Sequence, residues 1–214
     1  MKKTVNFNGL SKVMLILAAV IIVAGALVLA IFGGGTAAAY TAANLGLALI
    51  LKAVVATVLV CALVLLYFVI RFRKDGVKMG IFSSLGAVVS GLMALALCVV
   101  CRAPLGNFAL AVVLTAVCLS YIASALFFNS FVKKSSRKKN SPAEDSYNDA
   151  ANKAFAPLIV LLAIFIGILV GAFVGAAIYG SVSLMLYALP TLLTAVLSIL
   201  FTLAFSCRLY AKKA

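Results

Sequence analysis

The sequence predicts an all-α, polytopic membrane protein: a single domain, residues 1–214, of six transmembrane helices with both termini in the cytoplasm. Three observations predict it. Hydrophobic residues make up 66% of the chain and its mean hydropathy is +1.28, well above the roughly 45–50% apolar usage of soluble domains. With only 10% charged residues, the chain cannot coat a water-facing surface. The apolar residues fall into six runs, at about 13–32, 45–70, 79–101, 108–132, 156–179 and 182–207, each long enough to cross a hydrocarbon layer at about 1.5 Å per residue. The basic residues lie between these runs and favour one side. The leader, the 71–78 loop, the 133–153 loop and the tail together carry sixteen of the eighteen Lys and Arg, leaving Arg102 and Lys52 for the other face. Positive residues are retained in the cytoplasm, so both ends are expected there and the membrane is the inner (plasma) membrane.

The first run follows a positive leader with Lys2, Lys3 and Lys12. It exceeds the apolar core of a signal peptide, and five further spans follow, so a retained helix is expected. A short uncharged loop, 33–44, contains Gly33, Gly34 and Gly35. The second run carries Lys52 near its outer end, where a long stem reaches the headgroups, and stops at Arg71, Arg73 and Lys74. In the third, Ser83, Ala87 and Gly91 form a stripe of small residues, the usual means by which membrane helices approach one another. Pro104 and Gly106 then turn the chain, and Asn107 is placed to cap the fourth helix.

The fourth run enters the longest polar segment of the chain, 133–153. There Ser141, Pro142 and Glu144 read as a capping box with proline at the first helical position. Tyr147, Ala151 and Phe155 recur every fourth residue, which predicts a short interfacial helix within 133–155, its apolar stripe on the membrane. The fifth run holds Gly167, Gly171 and Gly175, a doubled GxxxG and a specific helix-packing signal; Ala87 and Gly91 are the corresponding packing positions of the third. In the sixth, Pro190 is followed by Thr191, Thr194, Ser198 and Thr202 along one face. Those hydroxyls are expected to hydrogen-bond carbonyls freed by the proline or a neighbouring helix.

The residues that are missing constrain function most. The chain has no histidine, and its only acids, Asp75, Glu144, Asp145 and Asp149, all lie in polar connections. Intramembrane hydrolysis needs a Ser/His couple, paired aspartates or a metal-bound water, so an enzyme is not expected, and neither is a self-sufficient proton-driven pump. Cys98 and Cys101 form a CxxC, but zinc needs further ligands that the sequence does not supply. No cofactor and no metal are expected. The net charge of +14 sits in span-flanking clusters with no basic face outside them, so the expected surroundings are membrane lipid and not nucleic acid.

Several stretches, taken in order, resemble the SecD/SecF family of bacterial protein-export membrane proteins, and its SecF half in particular. The second run ends LLYFVIRFR, similar to the family's tyrosine-then-Arg-Phe ending. The fourth reads LTAVCLSYIASALFFNSFVKK, in which Leu114, Thr115, Ser120 and Phe128 match the family's helix. The segment SPAEDSYNDAAN, with Ser141, Glu144, Asn148 and Asn152, resembles the stretch before the family's fifth helix. The resemblance implies a resistance–nodulation–division type subunit that assists the Sec translocon, partnered by a SecD-like subunit. The chain departs from the family in two ways. Only 33–44 stands where the family has a large extracytoplasmic domain, and the family's intramembrane acids fall at Ser90, Ala123 and Asn129. The expected function is therefore a SecF-like accessory subunit without its own proton relay. The alternative is the substrate-binding membrane subunit of a vitamin-type uptake transporter, which predicts an outward polar cavity around Pro190, Thr191 and Thr194. A third class, a structural or assembly factor, predicts neither a ligand nor an export phenotype.

Overall fold

The computed structural model describes residues 6–32, 43–103, 105–135, 143–180 and 186–211. Every regular element among them is helical: α1 Phe7–Phe32, α2 Ala43–Phe72, α3 Gly76–Val100, α4 Asn107–Ser135, α5 Ala143–Ile178 and α6 Ala188–Ala211, with a 3₁₀ turn Arg73–Asp75 joining α2 to α3. All six helices are long and apolar enough to cross a membrane. The protein is a multi-pass membrane protein of the all-α class.

The six helices form two layers. α3, α4 and α6 pack on one another at the centre. Each remaining helix lies in a groove between two of them: α1 against α3 and α6, α2 against α3 and α4, α5 against α4 and α6. Burial follows this division. The spans of α3, α4 and α6 are 61, 50 and 56% buried, those of α1, α2 and α5 only 11, 6 and 6%. The inner helices are also the less hydropathic ones, being rich in serine and threonine. In lipid no hydrophobic force drives helices together, so small and hydroxyl-bearing residues collect at helix–helix contacts while Leu, Ile and Val are left to face the acyl chains.

The start of α1 and the end of α6 lie at one end of the bundle, beside the start of α5. Phe7 is buried against Phe155, with ring centroids 5.6 Å apart, and its backbone N–H donates to Asn148 Oδ1 at 2.9 Å. The same end holds an aromatic cluster. Phe68 meets Phe128 edge-on at 5.7 Å, Phe131 stacks on Tyr147 at 4.7 Å, and the Cys207 thiol reaches the Tyr147 carbonyl at 3.7 Å. Aromatic pairs of this kind add about 0.5–1.5 kcal/mol beyond their burial, so α2, α4, α5 and α6 are clamped together at this end.

At the end where α1 begins the helices extend past the apolar runs, whereas α6 starts at Ala188, six residues inside the expected sixth run; three further expectations need correction. α1 begins at Phe7, so the second half of the polar leader, with Lys12, is helical. The short interfacial helix is not a separate element: α5 runs continuously from Ala143 to Ile178 through Pro157. Its early stripe faces the protein and not the membrane, since Tyr147 and Ala151 are buried and Phe155 packs with them in the core. The third correction concerns Pro190, which sits in the first turn of α6. A first-turn residue donates no intrahelical hydrogen bond, so this proline frees no carbonyl. The cap at Ser141 and Pro142 lies outside the described residues.

The turn after α3 is made by its backbone. Arg102 adopts φ +57°, the Arg102 N–H donates to Val99 O at 3.1 Å, and the Ala103 N–H donates to Cys98 O at 2.9 Å. This pair of bonds is a Schellman C-cap, here with arginine at the left-handed position that glycine usually takes.

Candidate functional site

The interior of the bundle is the place where polar chemistry is concentrated. The buried polar residues include Ser83 and Ser90 on α3, Ser120 and Ser124 on α4, and Thr191, Thr194, Ser198, Thr202 and Ser206 on α6, all inner helices. Helical spacing puts each set on one face: Ser83 and Ser90 flank Gly86 at −3 and +4, Ser124 follows Ser120 by four, and Thr194, Ser198, Thr202 and Ser206 recur every fourth residue. The faces converge. Ser120 Oγ and Thr202 Oγ1 share a hydrogen bond of 2.6 Å across α4 and α6. Gly86 of α3 lies against both, since a Cβ at that position would sit 3.9 Å from Ser120 Oγ and 4.0 Å from Thr202 Cγ2.

The other hydroxyls divide into two kinds. Ser198 and Thr191 donate to carbonyls four residues earlier in their own chain, those of Thr194 at 2.6 Å and Tyr187 at 2.5 Å. The hydroxyls of Ser83, Ser90, Ser124 and Thr194 are buried with no protein partner among the described residues. A second polar contact lies nearer the periphery, where Tyr121 donates to Ser84 Oγ at 3.0 Å.

A second feature lies on the outside of α4. α4 and α5 are closely packed near the terminal end, around Phe131, Tyr147 and Leu158, and leave two apolar clefts further along. One, of about 240 Å³, is lined by Phe108, Thr115, Phe165, Ala176, Tyr187 and Thr191 among others. The second, of about 410 Å³, lies between Leu114, Cys118 and Ile122 on α4 and Leu161, Ile164 and Ile168 on α5. Thr115 and Phe165 line both.

The positions singled out in the sequence fall as follows. Ala87 is buried with Val117 and Tyr121, and a Cβ at Gly91 would lie 3.3 Å from Val117 Cγ2, so the small stripe of α3 is a close contact with α4. Gly167, Gly171 and Gly175 of α5 behave differently. A Cβ at any of them would meet nothing within 4 Å: among the described residues the doubled GxxxG packs against no helix, because α5 turns its other face to α4 and α6. Leu114 lines a cleft. Thr115 donates to Ala111 O at 2.8 Å, Ser120 forms the inter-helix bond, and Phe128 is buried in the aromatic cluster. Of the three positions where the resembled family carries acids, Ser90 and Ala123 are fully buried and Asn129 is half-buried. Lys52 is exposed on α2.

Pro190 and Thr194 are buried, Thr191 is bonded to the Tyr187 carbonyl, and the cleft that Thr191 borders is apolar. Cys98 and Cys101 are both free thiols, and no group of three metal-ligating side chains exists among the described residues.

Sequence reasoning found the hydroxyl face of α6 but missed its partners on α3 and α4. The signal was present as the i,i+4 pair Ser120–Ser124, with Gly86 between Ser83 and Ser90. The Asn148 clasp on Phe7 joins residues 141 apart in sequence and left no local trace. No family model, curated protein or solved structure matches the chain.

Proposed function

We propose that the chain is a SecF-like accessory subunit of the bacterial Sec export machinery, held in the inner membrane with both termini in the cytoplasm. It acts by packing against a SecD-like half or the translocon, with any proton coupling supplied by that partner. It is not an enzyme. The observation that carries this reading is on α4. The residues that match the family's fourth helix, Ser120 and Phe128 above all, are the ones that tie this bundle together. The positions where a relay would need acids hold Ser90, Ala123 and Asn129. A chain that keeps the scaffold and lacks the titrating groups is suited to a partner's chemistry and not to its own.

The open glycine ridge of α5 supports the same reading, since Gly167, Gly171 and Gly175 offer a partner's helix a close approach that no described helix of this chain uses. The uptake-subunit reading needs a polar outward cavity near Thr191 and Thr194. The apolar cleft there, with both threonine side chains turned to internal contacts or buried, favours it less.

The test is affinity purification of the tagged chain from native membranes in mild detergent. A SecD-like subunit or translocon component is expected to be recovered with it, and Gly171→Leu is expected to abolish that recovery. Recovery of only the free monomer, with no Sec component, would overturn the reading. Specific thermal stabilisation by a vitamin or a metal ion would favour the uptake subunit instead.

A further inference from the structure

The two clefts between α4 and α5 form one groove. Thr115 and Phe165 line both, so the clefts join end to end. Their walls on α4 extend from Phe108 at one end to Ile122 at the other, about 21 Å at 1.5 Å per residue. That exceeds half of the roughly 30 Å hydrocarbon core. The groove is closed toward the terminal end, where Phe131 stacks on Tyr147 and Leu158 is fully buried. Its other end is marked by Phe108, Ala176 and Tyr187. Ala103 belongs to the same buried cluster as Tyr187, which places the α3–α4 turn, with the exposed Arg102, at that open end.

The dimensions select the occupant. Spread over the length of α4 that lines each cleft, the volumes of about 240 and 410 Å³ give cross-sections of roughly 25 and 35 Å². A helix 10 Å wide needs about 80 Å², so a partner's helix cannot enter, whereas a single file of methylene groups can. The two threonines in the walls, Thr115 and Thr191, donate to the Ala111 and Tyr187 carbonyls, so they ask for no polar ligand. Arg102 supplies a polar contact at the mouth. It takes the left-handed position, φ +57°, that favours glycine, so the backbone does not select an arginine there. Topology does not select it either, since sixteen of the eighteen Lys and Arg lie toward the other side. A guanidinium pairs with phosphate through two parallel hydrogen bonds.

We propose that the α4–α5 groove is a phospholipid site, with one acyl chain lying between Phe108 and Ile122 and the phosphate held at Arg102. The competing account gives Arg102 a purely structural role, since a cation also suits the C-terminus of α3, and fills the groove with whatever lipid surrounds the bundle. The inference rests on the membrane-spanning fold and holds whether or not the chain has a Sec partner.

The test is photo-crosslinking of the full chain in a maltoside detergent, which has an alkyl chain and no phosphate. The probe is phosphatidylglycerol carrying a diazirine at the middle of one acyl chain. Saturable labelling is expected on the groove walls, 114–122 of α4 and 161–168 of α5, and unlabelled phosphatidylglycerol should displace it. Cys118→Trp, at an exposed position in the wall, fills the groove with an indole and is expected to cut that labelling about tenfold. Arg102→Gln is expected to cut it about threefold, the usual worth of an exposed ion pair, and a diazirine-bearing diacylglycerol should label the wild type as weakly. Labelling spread as strongly over the exposed faces of α1 and α2, or unchanged by Cys118→Trp, means surrounding lipid only and overturns the proposal. Equal labelling of wild type and Arg102→Gln removes the phosphate contact and overturns it as well. If Cys118→Trp does not fold, the distribution of the wild-type labels and their displacement decide.

Discussion

Two glycines of this protein are fixed by distance. A Cβ on Gly25 of α1 would lie 2.6 Å from Ala96 Cβ and 2.7 Å from Ala96 Cα, and one on Gly76 would lie 2.3 Å from the Phe68 carbonyl oxygen. In both cases the obstacle is backbone or a stub bonded to it, which cannot swing aside. Gly25 lets α1 lie directly on α3. Gly76 lets α3 start against the last turns of α2, so that the chain reverses through three residues. Gly25→Ala is expected to cost about 1–3 kcal/mol, the usual range for overpacking, and to lower the unfolding midpoint by several degrees. Gly9→Ala is the control: its new Cβ would meet only the Asn6 side chain, at 3.7 Å and beyond, and stability should hold or rise slightly. An equal loss in both variants would mean that the α1–α3 crossing is looser than the geometry shows.

At the scale of the helix, the same sequence signal has two different outcomes. The stripe Ser83–Ala87–Gly91 on α3 is packed against α4, while Gly167, Gly171 and Gly175 on α5 face outward with nothing beside them. Leucine at position 91 would drive into Val117 and Val113, 3.3 and 3.5 Å from the Cβ site, and Gly91→Leu is expected to prevent folding or to cost about 3 kcal/mol or more. Gly171→Leu is expected to leave the midpoint of the isolated bundle within about 2 °C of wild type, because the new side chain enters lipid. Matched thermal melts of the two variants in the same detergent check this, and a large loss for Gly171→Leu would place α5 in the wrong rotation. These helices also mark how much was legible beforehand. The six spans could be read from composition because lipid imposes length and apolarity on every one of them. Which helices lie inside was signalled by their serines and threonines, as Ser120 and Ser198 illustrate. The rotation of α5 was not legible, since a GxxxG states that a close contact is available and not which chain supplies it. The spacing of Tyr147, Ala151 and Phe155 states that they share one face, but not whether membrane or protein covers it. Only the three-dimensional return of α1, α4 and α6 to the same end shows that the protein covers it.

For the whole molecule, the arrangement of charge and the arrangement of helices agree on one axis. The start of α1 and the end of α6 meet at the same end of the bundle, beside the start of α5. That end is the one toward which the sequence directs sixteen of its eighteen Lys and Arg. An aromatic clamp, the Asn148 clasp and the basic connections are thus concentrated on one side, while the opposite side carries Arg102 and the outer parts of the α4–α5 clefts. The positive-inside tendency assigns the basic end to the cytoplasm, and that assignment is open to direct measurement. A green fluorescent reporter fused after Ala214 is expected to fluoresce, whereas a phosphatase active only outside the cytoplasm should stay inactive there. Fused after Arg102, the phosphatase should be active and the fluorescent reporter dark. The reverse pattern at the two sites would turn the molecule over and put the clamp and its basic loops outside. Partial activity of both reporters at one site would mean that the charge bias is too weak to fix a single orientation. The expected pattern makes the end where α1, α4, α5 and α6 are pinned together also the one nearest to cytoplasmic partners, and leaves the α5 ridge to be tested within the membrane.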